Sequence, residues 1–418
     1  MSELFRKQLE KELEDRKAEA KLLALAEPEI KPITLIFQIP ETELSSLAVN
    51  LLQTAGFLGN LRYSRGVLGN FVAVVLPQFD HITQGIILAL VADLKHRGLI
   101  IDANVDFKVQ AFLNVSMPLI EMPKVWAEGY KGKHIPIVGL DTGCPEHKDL
   151  VDRIFAECDV TGEGTTKDLH GHITHVAGIF AGNGKASDGK YVGGCPEAPM
   201  AFCKVLNKTG GGTAYTIIEG WQRGVEFIEA LPLDPKAPSF NGHRVGIFNI
   251  SLGGYQDFCH GNCMLCSTAN KVWARGHMNI IAMGNSGDQY PPLDGYEKAN
   301  ATCCCPARSN GCMAVGAVVG DPKNSEFNAI CYFSSRGPRH KDERHIMRPH
   351  VVAYGWKITS CKIPDMGGTH GYVAYSGTSM ATPETVSVCG EVWEVHYTWS
   401  NDQVREAVMK TAKPLGNW

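Results

Sequence analysis

Residues 135–143 read IPIVGLDTG. From Ile135 to Leu140 the run is apolar or small without a polar break, which suits a strand buried on both faces of a parallel sheet. It ends on an acid, Asp141, followed by the turn residues Thr142 and Gly143. Downstream, Ala201–Leu206, Arg244–Ser251 and Asn279–Met283 repeat the apolar texture, with helical stretches such as Tyr215–Ala230 between them. Strands alternating with helices predict an α/β domain built on a mostly parallel sheet with helices on both faces. Its last helix, Ser400–Ala412, opens with a Ser-x-x-Gln capping box, Ser400 and Gln403.

Upstream of Pro118 the pattern differs. Ile33–Ile39 predicts a strand; Leu44, Leu47, Ala48, Leu51 and Leu52 form one helical face; Leu61–Tyr63 and Phe71–Leu76 predict two strands. Ile82–His96 predicts a second helix, and Ile100–Phe112 extended chain. The order β-α-β-β-α-β is the ferredoxin-like α+β pattern. Before it, residues 1–27 mix acidic and basic side chains with a thin leucine stripe, as in a solvated helix, and Pro28 and Pro32 end it. Three segments follow: a charged helix over 1–30, a ferredoxin-like domain over 31–114 and the α/β domain over 115–418.

The 418 residues are 44% hydrophobic and 20% charged, the composition of a soluble globular protein. A net charge of −4 offers no footprint for a polyanion, so nucleic acid is not expected as a partner. No apolar run approaches the roughly 18 residues of a membrane span, and the first segment lacks the apolar region of a secretory signal. A cytoplasmic location without membrane attachment is the expectation. The fourteen cysteines then need an account other than a disulfide framework.

Two further segments carry chemistry, DLHGHITHVAG at 168–178 and YSGTSMATP at 375–383. An acid, an imidazole and a hydroxyl in three separate blocks are what nucleophilic acyl transfer uses: the imidazole removes the serine proton, and the acid fixes the imidazole tautomer. The small residues around Ser379 let a substrate backbone approach. A helix starting there points its amide dipoles at developing negative charge.

The order Asp, His, Ser, together with KVLNKTGGG at 204–212, NISLGG at 249–254, IAMGNSG at 281–287 and FSSRGP at 333–338, resembles the subtilisin-like serine proteases over about residues 115–415. The resemblance implies a serine endopeptidase whose triad is Asp141, His172 and Ser379, with Asn285 donating to the oxyanion. Ser251, Leu252, Gly253 and Gly254 on one side, and Gly210, Gly211 and Gly212 on the other, would hold an extended peptide or protein substrate. The 33–112 module is similar to the family's inhibitory propeptide, which implies a self-inhibited zymogen, cut between Phe107 and Met117, with its own propeptide as partner. Of three nearby histidines, the THVAG block registers His172 as the base and His175 as a structural residue, with no counterpart for His170.

Two positions depart from the family pattern. Ile173 stands where the family has glycine and is placed to crowd the substrate or shift the helix start. Glu384 replaces a usual histidine. A second reading is therefore a catalytically impaired pseudoprotease, a peptide-binding or regulatory module. By resemblance Ser286 lies on the pocket floor with Met283 nearby, which implies preference for an apolar residue before the scissile bond. No cofactor is required for catalysis by this reading. Calcium is uncertain: Asp149 matches one ligand position, but the loop 182–196 resembles the family variant without that site.

Cys259, Cys263 and Cys266 stand in C-x3-C-x2-C spacing, and a second group comprises Cys303, Cys304, Cys305 and Cys312. By resemblance the two loops flank the specificity pocket, so that thiolates from both could share Zn2+ or an iron–sulfur cluster and switch the enzyme. Disulfides or buried thiols are the alternative. The remaining cysteines read as core or turn residues; Cys144, three residues from Asp141, is placed to be a redox-sensitive neighbour, but core packing is the preferred reading.

Overall fold

The computed structural model describes residues 120–415 except 257–258, 288–301, 322–323, 338–345 and 366; before residue 120 it describes 33–39, 61–64, 70–76, 91–94, 96, 102–105 and 108–111. The main division between two compact units falls at residues 107 and 108.

In the first unit, β1 (Ile33–Ile39), β2 (Leu61–Ser64), β3 (Asn70–Leu76) and β4 (Asp102–Val105) form an antiparallel sheet in the order β2-β3-β1-β4. Placing β3 between β1 and β2 is what the split β-α-β pattern requires. Of the second predicted helix, Val91–Leu94 is helical, and Val91 and Leu94, three residues apart on one face, are its buried pair. The helices predicted within 1–27 and at 44–52 lie outside the described residues.

The second unit is built on an eight-stranded sheet. Its strands are β6 (Ile137–Asp141), β7 (Ile154–Asp159), β8 (Met200–Lys204), β10 (Ile247–Ile250), β12 (Met278–Ala282), β13 (Met313–Asp321), β14 (Asn324–Ile330) and β15 (Val351–Tyr354). They run in the order β14-β13-β12-β10-β6-β8-β7, with β15 also on β13. Every pair is parallel except β13/β14. The central strands β6, β8, β10 and β12 are buried at every residue, as strands covered on both faces must be.

Five helices matter to the site or its frame: α1 (His172–Ala181), α2 (Ala214–Glu229), α3 (Met264–Ala274), α4 (Thr378–Val395) and α5 (Asn401–Thr411). α4 packs on β10, β12, β13 and β15 and against α1, so the imidazole helix and the hydroxyl helix meet. The capping box at Ser400 forms: its hydroxyl accepts from the Gln403 N–H, and the Gln403 side chain accepts from the Ser400 N–H at 2.9 Å. Three short edge strands, β5 (Lys108–Ala111), β9 (Gly211–Thr213) and β11 (Leu252–Gly253), make a separate sheet, and β16 (Ile358–Cys361) pairs with β17 (Tyr372–Tyr375). Among the described residues no helix is long and apolar enough to cross a membrane.

Candidate active site

Asp141 closes β6, and the Thr142 N–H donates to its Oδ1 at 2.7 Å. His172 opens α1, and its Nδ1 lies 2.6 and 2.8 Å from the two carboxylate oxygens of Asp141. With Nδ1–H committed to the carboxylate, Nε2 of the neutral ring is the acceptor, the tautomer a general base needs. Nε2 has no hydrogen-bond partner among the described residues. The helix can approach this closely because Gly139 has no side chain: a Cβ there would stand 2.8 Å from Ile173 Cδ1 and 2.9 Å from Phe202 Cδ1.

Asp168 holds the start of that helix, a role sequence reading missed. Its Oδ1 accepts from Thr142 Oγ1, His170 N–H and Gly171 N–H, and its Oδ2 from the Thr174 N–H and hydroxyl, at 2.6–3.0 Å. These include amides that α1 leaves without intrahelical partners, and the negative charge sits at the positive end of the helix. Thr142 Oγ1 also accepts from the Ile173 N–H at 3.1 Å, tying the acid's turn to the base's helix. The available signal was an acid four residues before His172.

Ser379 occupies the first turn of α4, whose Pro383 lies four residues on and has no N–H to offer the Ser379 carbonyl. The Ser251 hydroxyl fills that role, donating to the Ser379 carbonyl at 2.7 Å. In return the Ser379 hydroxyl donates to the Ser251 carbonyl at 2.9 Å. The Ser379 hydroxyl is thus held by the Ser251 carbonyl rather than by the imidazole. Asn285 stands across the same helix start, where its Oδ1 accepts from the Thr378 N–H at 2.9 Å and hydroxyl at 3.0 Å. That fixes the amide so that Nδ2 carries the donors left for an oxyanion.

The two glycine-rich segments contribute strands to one three-stranded sheet. β11 contains Leu252 and Gly253, with Ser251 and Gly254 flanking it, and β9 contains Gly211 and Gly212, preceded by Gly210 in the left-handed region at φ 77°. Between β9 and β11 lies β5, antiparallel to β11 with Ala111 opposite Leu252 and Gln110 opposite Gly253. His172 and Ser379 are both 0% exposed. Near Asn285, the Ser286 N–H donates to Ser335 Oγ at 3.1 Å, and the Tyr255 hydroxyl lies 3.2 Å from the same oxygen. Burial pushes the Tyr255 phenol up to about 12, so this group is uncharged.

One expectation needs correction. Ile173 neither crowds the cleft nor shifts the helix start: α1 begins at His172, and the Ile173 side chain is fully buried in the core against Gly139. Cys144 is buried, and burial pushes its thiol well above the ordinary value. His175 is buried, its Nε2 3.1 Å from the Val373 carbonyl, and burial lowers it to about 3, while His170 is exposed beside Gly210. Glu384 Oε2 accepts from the Tyr354 N–H. The Asp149 carboxylate accepts from the Ala186 N–H and the Tyr372 hydroxyl.

The cysteine groups sort themselves. The sulfurs of Cys259, Cys263, Cys266 and Cys305 all lie within 4.8 Å of one another, so Cys305 is the residue of the second group that joins the first. Cys304 Sγ faces the Ala282 carbonyl at 3.4 Å, Cys303 Sγ the Cys304 carbonyl at 3.6 Å and Cys312 Sγ the Ser309 carbonyl at 3.3 Å.

A model of the Subtilase family matches residues 132–417, the stretch that carries Asp141, His172, Asn285 and Ser379. The chain belongs to the subtilase family. This subtilase is 30% identical over 316 residues to serine protease AprX of Bacillus subtilis (strain 168), a match covering 72% of the chain and 66% of AprX. It is 29% identical over 302 residues to subtilisin DY of Bacillus licheniformis, covering 72% of the chain and 92% of that protein. With subtilisin E of Bacillus subtilis (strain 168) it shares 30% over 299 residues, 71% of the chain and 65% of that relative. The subtilase thus spans about two thirds of the length of AprX and of subtilisin E.

Proposed function

We propose that the chain is a serine endopeptidase, made as a self-inhibited zymogen, that cleaves protein or peptide substrates through an acyl-enzyme. The observation that carries this is the buried His172–Asp141 pair with Nε2 unengaged, on a helix packed against the one that bears Ser379. In turnover the Ser379 hydroxyl leaves the Ser251 carbonyl, gives its proton to His172 Nε2 and attacks the peptide carbonyl. Asp141 stabilises the imidazolium. The oxyanion is met by Asn285 Nδ2 and the Ser379 N–H at the start of α4; loss of one such donor costs about 10²- to 10³-fold in kcat. His172 then returns the proton to the leaving amine, and water repeats the sequence on the ester. No cofactor takes part.

The zymogen reading is supported by β5, which occupies the position between β9 and β11 that an extended substrate would take by strand addition. Full burial of His172 and Ser379 fits a cleft that is closed before processing. In this reading residues 31–114 are the inhibitory domain. A cytoplasmic location suits a chain with fourteen cysteines, which a reducing compartment keeps as thiols. The residue that motivates a pseudoprotease reading, Ile173, has its side chain in the core. A serine-directed fluorophosphonate tests the proposal: after processing, it labels wild type at Ser379 and leaves Ser379→Ala unlabelled. Absence of label on processed wild type contradicts it.

A further inference from the structure

We propose that Cys259, Cys263, Cys266 and Cys305 hold one Zn2+ ion as four thiolates, and that the ion braces the substrate-binding edge. The four residues are 0–1% exposed, and their sulfurs lie within 4.8 Å of one another. Zn–S bonds of about 2.3 Å in a tetrahedron place the sulfurs about 3.8 Å apart, so a small contraction of the group completes the shell. An iron–sulfur cluster would need iron and sulfide atoms as well to fit among the same four sulfurs, which favours a single ion.

The local structure prepares the ligands. Cys263 is the N-cap residue of α3 and Cys266 lies in its first turn, so two of the four sulfurs sit at the positive end of an eleven-residue helix. Cys305 comes from a distant segment that pairs with the edge strand: Gly254 and Cys305 exchange N–H···O bonds of 2.9 Å in both directions. Next to them Gly253 packs so closely on Cys304 that a Cβ would stand 2.4 Å from its sulfur. One ion would therefore bind the loop 259–266 to the strand that carries Leu252 and Gly253. Four thiolates close the shell, so the ion is structural and leaves no position for water or substrate. Its ligation releases thiol protons and needs no oxidant.

The test uses full-length Ser379→Ala protein, which cannot process itself, purified under reducing conditions and analysed for metals and by zinc K-edge absorption. The expected result is about one zinc per chain with four sulfurs at about 2.3 Å. Cys305→Ser should lose at least tenfold in zinc affinity, whereas Cys304→Ser, an equally buried neighbour, should keep the metal. Titrating stripped protein with Zn2+ alone should restore one equivalent and raise Tm. Less than about 0.1 zinc after titration, nitrogen or oxygen ligands in the first shell, an iron–sulfur absorption spectrum, or equal zinc in Cys305→Ser and the parent would each overturn the assignment.

Discussion

Ser251 and Ser379 exchange hydrogen bonds: the Ser251 hydroxyl donates to the Ser379 carbonyl at 2.7 Å, and the Ser379 hydroxyl to the Ser251 carbonyl at 2.9 Å. Ser251 immediately precedes β11, the proposed substrate edge, and Ser379 is the proposed nucleophile, so the two are set by each other. Ser251→Ala keeps the carbonyl that holds the Ser379 hydroxyl but leaves the Ser379 carbonyl without a donor, since Pro383 cannot replace it. The expected outcome is a loss of about 1–2 kcal/mol in stability and a roughly tenfold fall in kcat with little change in KM. Thermal unfolding and peptide-ester kinetics check it; unchanged kcat would contradict it.

Asp168 is buried and accepts five hydrogen bonds from the start of α1 and from Thr142. Asp168→Ala strands several donors and removes the charge opposing the helix dipole. Stability should fall by about 3 kcal/mol or more, and turnover should fall with it because the same helix aims His172. Urea unfolding in a Ser379→Ala background measures the first without autolysis. A loss below about 1 kcal/mol would show that Asp168 does not anchor the helix.

The groups beside Asn285, namely Ser286, Ser335 and the Tyr255 phenol, are uncharged. None of these described groups is an acid that would select Lys or Arg, so a peptide panel should be cut fastest after apolar residues. Fastest cleavage after Lys or Arg would refute this reading of the pocket.

Glu391, buried in α4 near Glu394 and Cys195, is pushed up to about 8 by burial first and by the Glu394 carboxylate second. Because the folded state holds this proton more tightly than the unfolded chain, the group's contribution is full below about pH 4.5 and is lost as pH rises through about 8. Glu391→Gln has no such proton to lose. Relative to wild type, the variant should therefore gain a few kcal/mol of stability between pH 5 and pH 9. A pH-independent difference in Tm would show that Glu391 is not protonated in the fold.

Much of this architecture was legible because local patterns carried it. The continuous apolar run at 135–140 announced a doubly covered strand, and the Ser400/Gln403 pair announced a helix start that forms as a capping box. The strands at 33–39 and 70–76 were readable from their apolar runs. The pairs β13/β14 and β16/β17 were missed, because their pairing is tertiary. At the site, His172, Asp141, Ser379 and Asn285 could be named from their blocks, whereas Asp168 could not: its importance comes from donors that converge only after α1 forms. Ile173 was misjudged for the same reason, since a residue beside the imidazole in sequence points into the core once the helix turns. Cys305 could be grouped by type, but only the pairing of Cys305 with Gly254 selects it from its neighbours.

In the proposed function Ser379 is live, and β5 is the tail of an inhibitory segment cut by the chain's own site. The most direct test is the intact mass of purified wild type and of Ser379→Ala after identical incubation. Wild type alone is expected to lose its first segment, with the new N-terminus falling between Phe107 and Met117. Loss of the segment in both proteins, or in neither, would contradict it.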